Sequence, residues 1–283
     1  MNFQQFAASY GLHILNPEIG RWVRIPTIDK PQKKNGAYFF TGDFGMVQNW
    51  GTMSDPVQWK EGNTEAKEIS QADRIKRQQA LDAAHEQKQE NQRNAAKKAA
   101  WMMKNSVIEI HPYLDKKGFF EETASVLFTD SGRFLLVPMY INKKLVGVQA
   151  IDEHGGKRFL FGQQTSYATF EIDAKGKPIL CEGYATARSI RHCMKSIGAR
   201  YRIIVCFSAG NLKKIARDNP TAFIVADHDA SGTGQKVAEE SGLKFYLPEF
   251  EGEDFNDEWV RLGKARAAMR LKSELLKSEY FNV

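Results

Sequence analysis

PILCE (178–182), RIIVCF (202–207), FIVAD (223–227) and LKFYLP (243–248) are four short apolar runs. Between them lie ATARSIRHCMKSIG (185–198), NLKKIARDN (211–219) and GQKVAEESG (234–242), whose apolar residues recur at helical intervals. Strands buried on both faces read as unbroken apolar runs, and strands joined through helices lie parallel with right-handed crossovers. Residues 176–283 are therefore expected to form an α/β domain with a parallel sheet, closed by a helix over DEWVRLGKARAAMRLKSELLK (257–277).

In such a sheet functional groups collect just past the carboxyl ends of the strands. Glu182 closes the first run and is followed by Gly183, which lets the backbone turn tightly; Asp227 closes the third, and Asp229 follows in DHDASG. Three carboxylates are expected on one edge, and EGEDFND (251–257) can add Asp254 and Asp257. Crowded carboxylates repel one another, and a hard divalent cation such as Mg²⁺ relieves the repulsion. Alone, an Asp-x-Asp reads more simply as a helix cap or a solvated turn. A calcium loop fits poorly, since Ala238 stands where its bidentate Glu belongs, and a dinucleotide fingerprint starting at Gly232 and Gly234 has Val237 at its third glycine. No phosphate-loop, zinc-protease or nucleophile-elbow motif occurs in the chain.

Upstream, FLLVPMYI (134–141) and LVGVQAI (145–151) flank Asn142-Lys143-Lys144, with KRFLFG (157–162) and YATFEID (167–173) following, so 125–173 is expected to form antiparallel hairpins. Between Glu65 and about Asn105 there is no Pro or Gly, and Glu, Gln, Lys, Arg and Ala dominate. That is the composition of an exposed helix of roughly 60 Å. Its apolar end, Ala99 to Met103, reads as a docking site. Residues 1–60 place Trp22, Phe39, Phe40, Phe44 and Trp50 among glycines, with a basic run from Lys30 to Lys34, as expected of a small β-rich module whose core those aromatics build.

The chain has 283 residues, 42% hydrophobic and 26% charged, with no stretch long and apolar enough for a membrane span. Three cysteines without close pairing exclude a disulfide scaffold and read as core residues. Forty Lys and Arg against 34 Asp and Glu, a net +6, lean toward a polyanionic partner. The first residues lack the basic start and apolar block of a secretory signal, so the expected location is the cytoplasm.

A strand ending in Glu-Gly and, one βα unit later, a strand ending in Asp-x-Asp resemble the Toprim domain of bacterial-type primases, topoisomerases and some nucleases. HPYLDKKG (111–118), EGYATA (182–187), CFSAGNL (206–212), ADHDASGTGQKVA (226–238) and EDFNDEW (253–259) stand in the order seen in Toprim primases of plasmids and phages, so the resemblance covers nearly the whole chain. GRFLLVPMY (132–140) and GGKRFLFG (155–162) resemble the basic segments of the primase polymerase core. The resemblance implies a module at 1–60, a helical linker at 61–105, an amino-terminal core subdomain at 106–175 and a Toprim domain at 176–283. It implies synthesis of RNA primers on single-stranded DNA from ribonucleoside triphosphates by two-metal nucleotidyl transfer. Glu182, Asp227 and Asp229, with Asp254 and Asp257, would hold Mg²⁺ or Mn²⁺, Glu182 acting either as a ligand or instead as general base; Arg133, Lys157 and Arg158 would meet nucleotide or template. A separate replicative helicase is an expected partner, and no membrane is.

Two departures accompany the likeness. Replicative primases bind zinc in the amino-terminal module through cysteines that this chain lacks, so no zinc is expected. They also carry an Asp soon after the Glu-Gly-Tyr, where this chain has Ala185 and Thr186. The alternatives are a Toprim metal-dependent nuclease and a non-catalytic DNA-binding replication accessory protein.

Overall fold

The Asn2 side chain accepts a hydrogen bond from the Gln5 backbone amide while the Gln5 side chain accepts one from the Asn2 amide, and this reciprocal cap starts α1 (Phe3–Ser9), a helix not anticipated from the sequence. The computed structural model describes residues 1–53, 55–61, 71–173 and 175–280; part of the expected linker, 62–70, lies outside them. The chain divides into two units, Met1–Glu90 and Asn91–Val283.

In the first unit β1 (Trp22–Ile25), β2 (Gly36–Phe40), β3 (Phe44–Asn49) and β4 (Val57–Lys60) form an antiparallel meander in chain order. Its core differs from the expected one. Strand alternation puts Tyr38 and Phe40 on one face of β2 and Phe39 on the other, opposite Trp22 of β1. The buried cluster is Phe3, Ala7, Leu12, Ile14, Tyr38, Val47 and Trp59, with Phe40 packed against it, whereas Trp22 and Trp50 are about half exposed. The Phe3 ring lies so close over Gly45 that any Cβ there would meet it at 2.3 Å. Helix α1 thus supplies the lid that the outward-facing tryptophans cannot.

Helix α2 (Gln71–Lys104) ends as its composition foretells: Ala99 and Met102 are buried against Leu127, Leu136 and Val148, while Trp101 stays exposed. The sheet they cover runs in chain order through β5 (Val107–Ile110), β6 (Thr123–Thr129), β7 (Gly132–Ile141), β8 (Lys144–Asp152) and β9 (Lys157–Phe159), all antiparallel. Between β5 and β6, α3 (Pro112–Lys116) is capped by His111. The opposite face of the sheet, through Leu135, Val137 and Ile151, shares a core with the second sheet.

That second sheet has the order β10 (Phe170–Ile172), β12 (Tyr201–Val205), β11 (Lys177–Cys181), β13 (Phe223–Val225) and β14 (Phe245–Tyr246). Strands β11 to β14 are parallel, and α4 (Tyr184–Ser196), α5 (Ala209–Asp218) and α6 (Thr233–Ser241) provide the crossovers before α7 (Phe255–Leu262) and α8 (Lys264–Lys277) close the chain. Residues 170–172, expected among the antiparallel hairpins, instead pair antiparallel with β12 as the edge of this sheet. Thr169 and Tyr140 exchange backbone hydrogen bonds at 2.9 Å, which leads the chain from one sheet into the other.

The start of α6 is held tightly against the sheet. A Cβ on Gly234 would sit 2.6 Å from the Asp227 carbonyl oxygen and 3.2 Å from its nitrogen, and backbone cannot swing aside. Gly234→Ala is expected to cost about 1–3 kcal/mol, lowering Tm by roughly 3–10 °C. Thermal denaturation within a degree of the parent would show that this approach carries no strain.

Candidate active site

Strand β11 is central, and the chain leaves it for β12 on one side and then crosses to β13 on the other. Such a reversal opens a crevice at the carboxyl ends of the two neighbours, here β11 and β13. Cys181 and Val225 are in register across them; Glu182 follows Cys181 directly, and Asp227 stands two residues beyond Val225. The two acids the sequence singled out therefore meet at the switch point. The Cys206 and Phe207 amides donate to the carbonyls of Cys181 and Glu182 at 2.8 and 2.9 Å, pinning the adjacent loop. Ser208 caps α5 there by accepting from the Asn211 amide.

Burial and mutual repulsion act on these carboxyls together. Glu182 is pushed up to about 8, first by burial and then by the charges of Asp227 and Asp229, against a backbone hydrogen bond at Ala209 and the charge of Lys157. Asp227 is pushed up to about 7, chiefly by burial, then by Asp254, with Lys157 opposing. One oxygen of Asp227, Oδ1, is buried without a hydrogen-bond partner. Asp229 is engaged locally, accepting from Ser231 Oγ at 2.6 Å and more weakly from the Thr233 amide at 3.3 Å.

Asp254 and Asp257 reach the same edge through a backbone bridge, in which His228 and Glu253 pair and the His228 ring bonds the Pro248 carbonyl at 2.9 Å. They already have work. Asp254 caps α7 by accepting from the Asp257 amide at 2.9 Å, and Asp257 accepts from the Asp254 amide. Lys117 Nζ lies 3.0 Å from Asp257 and 3.7 Å from Asp254. Burial works against the Lys117 charge, but the two carboxylates outweigh it and raise its pKa. The Lys117 carbonyl in turn accepts from the buried Asn256, which also bonds Ser189 Oγ at 3.0 Å. A cleft of about 500 Å³ opens between Tyr113, Lys117, Lys157, Asp254, Asp257 and Arg261.

Of the three basic residues expected to meet nucleotide or template, Lys157 faces the acids: its charge acts on Glu182, Asp227 and Asp254, and it makes no ion pair among the described residues. Arg158 is the next residue in β9, and strand alternation turns it to the other side, over the Phe134 ring and 3.9 Å from Asp152. Arg133 is taken up by Glu153, Nε to Oε1 2.5 Å. Its backbone carbonyl accepts from the His111 ring at 3.2 Å, which ties α3 and the following Lys117 to β7.

The donor set fits a hard divalent cation: oxygens only, two carboxyls destabilised by burial and by neighbouring carboxylates, and one buried oxygen with nothing to bond. Among the described residues no three His, Cys, Asp or Glu side chains already converge closely enough to hold a metal. Lys117 and Asn256, which brace the cluster, were not singled out from the sequence; the adjacent pair in HPYLDKKG was the available signal, but a lysine's counter-ion 140 positions away is a tertiary fact.

No family model matches the chain, and no curated protein does. Several solved structures resemble it. The primase domain of bacteriophage T7 gp4, solved with an RNA/DNA hybrid and dTTP alongside the lagging-strand polymerase, is 17% identical with a TM-score of 0.40, over 56% of this chain and 83% of that one. The DnaG primase catalytic domain bound to single-stranded DNA is 13% identical with a TM-score of 0.36, over 58% of this chain and 59% of that one. The zinc-binding and RNA polymerase domains of the Aquifex aeolicus primase are 15% identical with a TM-score of 0.36, over 97% of this chain and 82% of that one. No helix among the described residues is long and apolar enough to cross a membrane.

Proposed function

We propose that this chain is a primase-type nucleotidyltransferase that builds short RNA primers on single-stranded DNA. The observation that carries the reading is the convergence of Glu182 and Asp227 at the switch point, both pushed up by burial and repulsion, with the uncommitted Lys157 facing them. A site holding repelling carboxyls beside a free cation suits a substrate that brings both metal and phosphate. The primase-like order of motifs around Arg133, Lys157 and Glu182 supports polymerisation over hydrolysis.

In this mechanism Glu182, Asp227 and Asp229 would hold Mg²⁺ or Mn²⁺, which would supply neutralising charge for the attacking 3′-hydroxyl and the leaving pyrophosphate. Lys157 binds phosphate of the nucleotide or template from β9, while Arg158 on the opposite face of β9 and Arg133 on β7 serve the template backbone after exchanging Asp152 and Glu153 for phosphate. Asp254 and Asp257, kept in place by Lys117, add negative charge behind Asp227 and extend the ligand set. A separate replicative helicase would deliver the template, and the location would be the cytoplasm.

The test is incubation of the purified protein with single-stranded DNA, ribonucleoside triphosphates and Mg²⁺ or Mn²⁺. Short new RNA of defined length is expected. Shortened DNA would replace this reading with a nuclease using the same acids, and a gel shift without new or shortened strands would replace it with a binding accessory.

A further inference from the structure

Phe159 lies on the same face of β9 as Lys157, two residues away, and is 44% exposed. Its ring meets that of Phe207 edge-on, centroids 6.4 Å apart. Phe207 follows Cys206 at the carboxyl end of β12, and its amide donates to the Glu182 carbonyl, so the aromatic pair borders the acid cluster directly. The Phe207 backbone has φ +67°, a region that bulky residues rarely adopt. Strain of this kind persists where surrounding structure imposes it, and it clusters at functional sites. Here the amide bond to Glu182 and the Ser208 cap hold it. Just past β9, Phe161 is 88% exposed.

We propose that Phe159, with Phe207 behind it and Phe161 beyond, is a stacking platform for the bases of the single-stranded template as it passes the acid cluster. Exposed phenyl rings beside water are costly unless something flat and apolar covers them, and every base offers such a face without regard to sequence. Lys157 on the same strand face supplies the cation that a base-stacking surface needs for the neighbouring phosphate. A protein partner would be met by this same patch only across the acids and Lys157, whose mixed charge suits a metal-bearing polyanion better. The inference rests on the primase reading, since it names the part of the substrate that this edge of the site holds.

The experiment compares binding of a short oligodeoxythymidylate with that of an equally long strand carrying abasic sites throughout, at one salt concentration with Mg²⁺. The full chain is expected to prefer the base-bearing strand by about fivefold or more. Phe159→Ala should bring the two affinities together, and Phe159→Trp should keep the preference. Phe159 is exposed, so these variants should fold as the parent does. Equal binding of both strands by the parent chain, or an undiminished preference in Phe159→Ala, would overturn the platform while primer synthesis still upheld the function. If Phe159→Ala weakened binding of free ribonucleoside triphosphates and left the oligonucleotide untouched, the template assignment would be wrong. Absence of binding to either strand together with absence of primers would overturn both readings.

Discussion

Asp227→Asn is expected to lower primer synthesis by about a thousandfold while leaving the fold intact. Substitution of one oxygen by an amide keeps the shape of the side chain but removes a ligand charge, and cation stabilisation of the transferring phosphoryl is worth several kcal/mol, of which about 4 correspond to that factor. Asp227 is the apt position because its Oδ1 is buried with no hydrogen-bond partner, so the substitution breaks no hydrogen bond at that oxygen. Asp227→Asn combined with Asp229→Asn should abolish synthesis altogether. Circular dichroism and thermal denaturation check the fold, and primer yield on a single-stranded template measures the effect. A folded double variant with parental yield would remove both residues from the chemistry.

Without metal, Glu182→Gln is expected to stabilise the protein at alkaline pH. Glu182 and Asp227 titrate near 8 and 7 in the folded chain, well above the unfolded range of about 4. Between those values the native state holds protons that the unfolded chain has released, so stability is greatest at the acidic end of the window and falls as pH rises toward 8. A glutamine side chain cannot ionise, so the variant escapes that loss. In a chelator at pH near 8.5 it should melt about 5 °C above the parent, an effect kept modest by the partial solvent access of the site. Near pH 5 the two should converge. Mg²⁺ should raise the parental Tm more than that of the variant, because a ligand that binds only the folded state stabilises by its affinity. A difference between parent and variant that is constant across pH would show that Glu182 carries no such burden.

Much of the second unit was legible in the sequence because its signals are local. Apolar runs alternating with helical spacing identify strands and crossovers, and a carboxylate at a run's end has one place to go in a parallel sheet, the carboxyl edge. Glu182 and Asp227 were found that way. The first unit was harder to read. A strand period of two puts Phe39 on one face of its strand and Tyr38 with Phe40 on the other, but does not say which face is covered, and α1, which decides it, announces itself only by a capping pair at Asn2 and Gln5.

Strand membership at 170–172 shows the same boundary of local information. A three-residue run pairs with whichever edge the chain brings near, and the link at Thr169 and Tyr140 delivers it to β12. Sequence by itself determined the alternating strands and helices, the exposed spacer with its apolar end, and the acids at the strand ends, since each follows from periodicity and chain direction. Tertiary structure alone decided that Lys117 would brace Asp254 and Asp257, that Lys157 rather than Arg158 would face the acids, and that Phe159 would meet Phe207 beside Glu182. Those are distances between segments far apart in the chain, and they come into being only when two sheets close on one core.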